Sequence, residues 1–402
     1  METAVFKTIT QETVDMIRNG GLVAVPTETV YGLACCGLNE TAVKKVYDVK
    51  GRPEIKPLSL MVPGAESMSA YCEEVPSDAK RLAEEFWPGP LTIVLKAKAI
   101  IPPIVLAGGS TVGLRCPDHD LTLSLLEKVG IPLAAPSANP SGAPSPKNAE
   151  KVLEYFSGKI DGVIDGGECG IGTESTIIDM SSTPYRILRQ GALPKEDIED
   201  VLVKDLKIVG ITGGSGCGKT TALTVMRDMG ALVLDCDAIY HRLLAENEKL
   251  LDEIESAFPG VMENGRLDRK KLGSRVFSDL EALNELNCIT HKYIEIEIVR
   301  LLREFAMSGG KIAAIDAVEL ISSGISQLCD YTVAVISPKE KRIERIIERD
   351  KISREYATSR IEAQKPDEYF REHCGYTLLN DGTYEQFTGK CEKFFKEILK
   401  NG

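Results

Sequence analysis

Gly213-Gly214-Ser215-Gly216-Cys217-Gly218-Lys219-Thr220 satisfies the pattern G-x-x-x-x-G-K-[ST] at every fixed position, the composition of a loop that holds phosphate. Its glycines let successive backbone N–H groups turn inward, and the helix that follows adds a favourable dipole. Lys219 reaches the β- and γ-oxygens, and Thr220 holds magnesium. A chance glycine-rich turn would need neither the lysine nor a strand and a helix on its two sides. The segment therefore implies use of ATP with Mg2+ on an acceptor the loop leaves open. Asp235 and Asp237 follow the next strand, at the carboxyl edge of a parallel sheet where ligands bind. A carboxylate there can take the proton of an attacking hydroxyl or help hold magnesium. Asp237 is favoured as the base; the competing reading is a strand-end aspartate that only caps the next helix.

The first half offers cations and small hydroxyls. Pro26-Thr27-Glu28-Thr29-Val30-Tyr31-Gly32-Leu33 leaves a strand for a polar turn, and Lys50-Gly51-Arg52-Pro53 ends the following helix, where the dipole alone would favour cations. Thr111-Val112-Gly113-Leu114-Arg115-Cys116-Pro117 is a strand whose arginine would be costly to bury without an anion. Ala135-Pro136-Ser137-Ala138-Asn139-Pro140-Ser141-Gly142 is a strand followed by a hydroxyl- and amide-rich loop, a composition plain turns share. Together Lys50, Arg52, Arg115 and these hydroxyls could line a cleft for a triphosphate and a carboxylate. No nucleophile, base or metal cluster can be singled out, which fits catalysis by positioning and charge neutralisation.

These residues need elements to hold them. Helical patterns at 41–49 and 121–129 alternate with short buried strands at 22–25, 92–95 and 175–178, an α/β pattern. Turn residues at 189–194 and an acidic stretch at 195–205 separate this half from a fresh strand at 208–211. The expected domains are 1–200 and 206–402, the second opening as strand, loop, helix (220–229) and strand (231–234) before a largely helical remainder.

A chain of 402 residues exceeds what one core usually serves, and 43% hydrophobic with 27% charged residues is ordinary globular composition. Residues 1–203 carry 19 basic against 27 acidic groups, a net −8, and residues 204–402 carry 29 against 33, a net −4. Neither half has the basic excess of a nucleic-acid clamp, although a local basic pocket is compatible with either balance. The eleven cysteines form no Cys-x-x-Cys pair, and the four histidines lie far apart, so neither a disulfide framework nor a zinc site is expected. Residues 1–20 lack a signal-peptide core, and no run reaches the roughly 18 apolar residues of a membrane span. A cytoplasmic protein without membrane contact is expected.

Residues 207–384 resemble dephospho-CoA kinase, which phosphorylates the ribose 3′-hydroxyl of dephospho-CoA with ATP. The likeness rests on the loop 212–221, which adds Thr221, and on Leu234-Asp235-Cys236-Asp237-Ala238, Asn264-Gly265-Arg266-Leu267-Asp268-Arg269 and Leu286-Asn287-Cys288-Ile289-Thr290-His291. It continues through Arg345, Arg349-Asp350, Arg360-Ile361, Gln364 and Asn380-Asp381-Gly382. The resemblance implies a P-loop kinase with a parallel sheet and a helical lid spanning 345–364. It implies Asp237 as base, Lys219 and Arg345 as catalytic cations, and Asn380 near the adenine. Val318-Glu319-Leu320-Ile321-Ser322 stands where the family usually reads Pro-Leu-Leu-Phe-Glu. Lys292 replaces a proline, and Cys374-Gly375 replaces Ala-Asp. These departures touch the acceptor side and leave the phosphate loop intact.

Residues 5–193 resemble the YrdC-like threonylcarbamoyl-AMP synthases, through Lys50/Arg52 and Ser137/Asn139 as the Lys-x-Arg and Ser-x-Asn hallmarks. Residues 26–33, Trp87-Pro88-Gly89-Pro90-Leu91-Thr92, 111–119, Ser175-Thr176-Ile177-Ile178-Asp179 and Arg189-Gln190-Gly191 extend the likeness. It implies a twisted open α/β sheet with a deep cleft. It also implies condensation of L-threonine, bicarbonate and ATP into threonylcarbamoyl-AMP with release of pyrophosphate, toward modification of adenosine 37 of tRNA by downstream threonylcarbamoyl-transfer proteins. Lys50, Arg52, Ser137, Asn139, Ser175 and Arg189 would contact ATP, Thr27, Arg115 and the Lys50 region would hold threonine, and Thr111 belongs to the same binding set. The competing readings are an RNA-binding module in the first half, and in the second a kinase for another small alcohol or a regulatory nucleotide-binding domain.

Overall fold

Short apolar runs without alternation become strands buried on both faces, and the helices between them supply the covering layers. The structure, a computed structural model, describes residues 2–263 and 265–400. Asn264 of the 264–269 motif, together with Met1, Asn401 and Gly402, lies outside the described residues. The chain divides into two units after Lys204, with Met307–Gly309 counted in the first.

The first unit is built on β1 (Ala4–Phe6), β2 (Val23–Val25), β3 (Gly32–Cys36), β4 (Ser59–Met61), β5 (Leu91–Lys96), β6 (Thr111–Arg115), β7 (Leu133–Ala134), β8 (Gly162–Ile164), β9 (Thr176–Asp179) and β10 (Arg186–Arg189). They form one sheet in the order β1-β8-β2-β3-β7-β4-β6-β5-β9-β10. Parallel pairs, such as β4 with β6 and β5 with β9, stand beside antiparallel ones such as β5 with β6. The strand expected through Pro136 stops at Ala134, because a proline has no N–H to give to a ladder; Ser137 keeps a single bridge to Gly32. Val14, Ile17, Leu125, Leu126 and Val129, from the helices Gln11–Arg18 and Asp120–Val129, pack against Val23, Val25, Ala34 and Ile164. The helix Glu40–Lys50 starts on Asn39, whose side chain accepts from Ala42 N at 3.1 Å, and ends on Gly51 at φ 56°. That left-handed C-cap costs glycine little. It leaves Lys50 inside, 3% exposed, and starts the next loop at Arg52.

The second unit holds β11 (Lys207–Thr212), β12 (Leu232–Asp235), β13 (Met262–Glu263), β14 (Arg266–Leu267), β15 (Ile312–Asp316), β16 (Tyr331–Ile336) and β17 (Tyr376–Leu379). Five of them form a wholly parallel sheet in the order β12-β15-β11-β16-β17, and β13 pairs with β14 separately. The remainder expected to be largely helical thus contains three further strands of the main sheet. The apolar runs of β15 and β16 are short and largely buried on both faces, so they show no period-2 pattern, and β17 is a four-residue edge strand. Val225 and Met226 of the helix Lys219–Asp228, with Phe387, Cys391 and Phe395 of the helix Tyr384–Lys400, pack on Val209, Ile211, Val333 and Val335. Each buried phenylalanine contributes on the order of 2–3 kcal/mol. The helices Lys339–Asp350 and Arg354–Glu362 share a smaller core of Ile343, Ile346, Ala357 and Ile361. Among the described residues no helix is long and apolar enough to cross a membrane.

Candidate functional site

In the first unit a cleft opens where β3, β4, β6 and β9 end or begin, lined by Arg52, Arg115, Ser137, Ser175 and Arg189 among the expected residues. Three guanidinium groups thus face one space. Burial holds Arg189 below its usual range; Glu174 opposes that, and the fields of Arg115 and Arg52 reinforce it. Burial lowers Arg52 as well. A half-buried site with several cations favours a polyanion, which would relieve their mutual repulsion. Arg189 donates to Ser175 O at 3.0 and 2.7 Å and to Ser175 Oγ at 3.1 Å. Ser175 in turn shares its hydroxyl with Thr92 at 2.8 Å. Arg52 donates to Pro57 O at 3.0 Å.

The anion that Arg115 requires comes from the chain itself: Arg115 Nη2 lies 2.6 Å from Glu28 Oε1 and donates to Thr29 Oγ1 at 2.9 Å. Glu28 Oε2 also accepts from Asp118 N at 3.1 Å. Glu28 lies within the segment singled out above, but its partner is 87 residues away, so no spacing could pair them. Lys50 does not line the cleft; its ammonium donates to the carbonyls of Ser137 and Asn139 and so fixes that loop from behind. Burial, with Arg52 nearby, pulls Lys50 down to about 7. Asn139 donates to Pro140 O and Ala143 O, and its buried Oδ1 has no hydrogen-bond partner among the described residues. Thr27 is spent within its own turn, giving to Val30 O at 2.7 Å and accepting from Thr29 N and Val30 N. Thr111 opens β6 and lies roughly 13 Å along the strand from Arg115, outside the lining set. Thr27 and Thr111 are therefore expected site residues that the structure does not bring to the cleft wall.

In the second unit three strands deliver their carboxyl ends to one edge, with β11 leading into the phosphate loop, β12 into Asp235 and β15 into Asp316. Gly213, Gly216 and Gly218 stand at φ 138°, 77° and 107°. A Cβ at Gly213 would meet Val335 O at 2.2 Å, so the loop's path requires glycine there. Gly214, Ser215, Gly216, Gly218, Lys219 and Thr220 face a cleft shared with Asp237, Arg345, Arg349 and Arg360. Cys217 turns its thiol into the core instead, where burial raises its pKa. Thr221 belongs to the first turn of the helix, its N–H bonded to Gly218 O at 3.1 Å.

Lys219 donates to Gly213 O at 3.1 Å and stands 3.9 Å from Asp316 Oδ1. Asp316 Oδ1 is buried without a hydrogen-bond partner among the described residues, and burial lifts this carboxyl to about 6; Lys219 opposes the rise, and Asp235 and Asp237 add to it. Asp316 was not among the expected residues, although an apolar run closed by an aspartate, Ile312 to Asp316, was its available signal. Asp235 is the helix cap, accepting from Ala238 N at 3.0 Å. Asp237, one helical step on, lines both the phosphate cleft and a second cavity walled by Val276, Phe277, Leu286 and Ile294. The orphaned Asp316 oxygen and Thr220, an exposed residue on the cleft wall, fit magnesium, which takes oxygen ligands, keeps several waters and leans on substrate phosphates.

The lid residues are already seated. Arg345 donates to Gly216 O at 3.1 Å and to Asn380 Oδ1 at 3.1 Å, and Asn380 gives its amide to Cys217 O at 2.9 Å. Asn380 is thereby used in bracing the loop. Gln364 spans Ser215, accepting from its N–H and donating to its hydroxyl, each at 2.8 Å. Arg342, which no sequence pattern marked, donates to Ser215 O at 2.9 Å and to Gln364 Oε1 at 3.1 Å.

Residues 15–191 match the Sua5/YciO/YrdC family, described as telomere recombination, and residues 207–386 match the CoaE family, described as dephospho-CoA kinase. The threonylcarbamoyl-AMP synthase of Pyrococcus abyssi is 49% identical over 186 residues, covering 46% of this chain and 55% of its own length. A Methanocaldococcus jannaschii protein provisionally given the same name is 39% identical over 178 residues, 44% of this chain and 83% of that protein. The dephospho-CoA kinase of Dehalococcoides mccartyi is 35% identical over 197 residues, 48% of this chain and 99% of that enzyme. The chain spans about half the length of the first threonylcarbamoyl-AMP synthases it matches.

Proposed function

The first half of this chain belongs to the Sua5/YciO/YrdC family and the second to the dephospho-CoA kinase family, and on that premise we propose that one polypeptide carries two ATP-consuming enzymes, over residues 1–200 and 206–402. The first half condenses L-threonine, bicarbonate and ATP into threonylcarbamoyl-AMP and pyrophosphate. Its product feeds modification of adenosine 37 of tRNA through separate threonylcarbamoyl-transfer proteins in the cytoplasm. Arg52 and Arg189 neutralise the triphosphate, Ser137 and Ser175 orient it, and Arg115 holds the amino-acid carboxylate. Lys50 and Asn139 keep the 137–139 loop in place.

The second half phosphorylates the 3′-hydroxyl of dephospho-CoA. The observation that carries this reading is the position of Asp237, on the wall shared by the phosphate cleft and the neighbouring apolar cavity. A hydroxyl reaching from that cavity toward the γ-phosphate would pass its proton to Asp237. Lys219, Arg345, Arg349 and Arg360 offset charge on the transferring group, and the loop N–H groups hold the β-phosphate. Magnesium, held by Thr220 and Asp316 beside the phosphates, would supply further charge neutralisation.

Both assignments are tested by one assay of the intact protein. Pyrophosphate release should require L-threonine and bicarbonate together, and ADP formation should require dephospho-CoA over other alcohols. Salt-sensitive RNA binding without the double requirement would sink the first assignment. A dephospho-CoA rate no higher than background ATP hydrolysis would sink the second.

A further inference from the structure

The cavity beside Asp237 is apolar over most of its wall, through Val276, Phe277, Leu286, Ile294 and Ile325. Against that wall stand a few polar side chains, including Asp237, His291 and Glu319. Glu319 also borders the adjoining cleft with Gly214 and Gln364, so it marks the rim where the acceptor cavity approaches the phosphate loop. Glu319 is exposed; its Oε2 accepts from the Ser322 hydroxyl, while Oε1 has no hydrogen-bond partner among the described residues. Burial lowers His291 and the charge of Glu319 opposes that shift, which places the two groups in each other's field. The carboxylate thus keeps one acceptor oxygen free at the edge of an apolar space that Asp237, already assigned to a reacting hydroxyl, also lines.

A ribose presents two adjacent hydroxyls, and carboxylates pair well with such a hydroxyl. We propose that Glu319 is a specificity-determining residue of the kinase half, accepting a hydrogen bond from the ribose 2′-hydroxyl while the 3′-hydroxyl faces Asp237. This rests on the dephospho-CoA reading above. The ligand class it selects is a ribonucleotide end with both hydroxyls intact. A 2′-deoxy or already 2′-substituted acceptor leaves the carboxylate unpaired, and a hydrogen bond to a charged group is strong enough for that loss to be read in the rate.

The test is a two-by-two comparison of kcat/KM on the full chain, wild type and Glu319→Leu, with dephospho-CoA and its 2′-deoxyribose analogue. Wild type should favour dephospho-CoA by about 10- to 100-fold. Glu319→Leu should lose a similar factor on dephospho-CoA, keep its rate on the deoxy analogue within about threefold, and leave the KM for ATP unchanged. Glu319→Gln, which retains an acceptor oxygen without charge, should fall between. An equal loss on both acceptors, or no loss on either, overturns the proposal. A wild-type protein inert toward dephospho-CoA overturns the underlying kinase reading instead, and the two failures are told apart by that first measurement.

Discussion

At the end of β15 the protein keeps a carboxyl group in a place that disfavours its charge. Burial lifts Asp316 to about 6, above its ordinary 3.8. The folded state therefore binds this proton more tightly than the unfolded chain does. Below about pH 4 both states are protonated and the group costs nothing; the penalty grows between pH 4 and 6 and is complete above 6, at up to about 3 kcal/mol. Asp316→Asn should accordingly stabilise the strands around it at pH 7.5. Hydrogen exchange should read that gain, and it should vanish as the pH falls toward 4. The kinase should at the same time lose on the order of 10- to 100-fold in activity. A variant equally active, or no more stable at pH 7.5 than at pH 4, would remove Asp316 from the site. The buried pair Arg115–Glu28 shows the opposite economy: each charge is matched, at 2.6 Å, and removing either partner strands the other.

Elements decide which of two neighbouring aspartates can act. Asp235 ends β12 and is committed to the N-terminus of the helix Cys236–Glu246, whereas Asp237 sits within the first turn with its carboxylate turned to the cleft. The helix cap falls to Asp235, which leaves Asp237, two residues on, facing the cleft as the proposed base. Asp235→Ala should cost about 1 kcal/mol in the stability of that helix, measured by hydrogen exchange over 236–246. Asp237→Ala should leave the helix unchanged and remove dephospho-CoA-dependent ADP formation. If the two variants were interchangeable in either measurement, the division of labour would be wrong. The helix Glu40–Lys50 and the strand β11 were legible because cap, apolar period and glycine stop agree locally. β15 and β16 were not, since a short run buried on both faces has the same pattern in a helix as in a strand.

For the whole molecule, the two candidate sites draw on separate stretches of chain and on different ways of holding phosphate. Lys219→Ala should abolish kinase turnover while threonine- and bicarbonate-dependent pyrophosphate release continues at the wild-type rate. Loss of both activities would argue against independent sites. The amino-acid order alone determined the phosphate loop, because its binding groups are consecutive backbone N–H groups whose geometry is set within eight residues, Gly213 to Thr220. It also marked Asp237, which lies within the next strand–helix turn. Only the tertiary structure decided the first site and the environment of the second. Arg52, Arg115, Ser137, Ser175 and Arg189 come from separate segments and meet through the packing of a ten-stranded sheet. The raised carboxyl of Asp316 arises when β15 is inserted between β11 and β12. Desolvation and the field of distant charges belong to that packing, and neither is written in the spacing of residues along a chain.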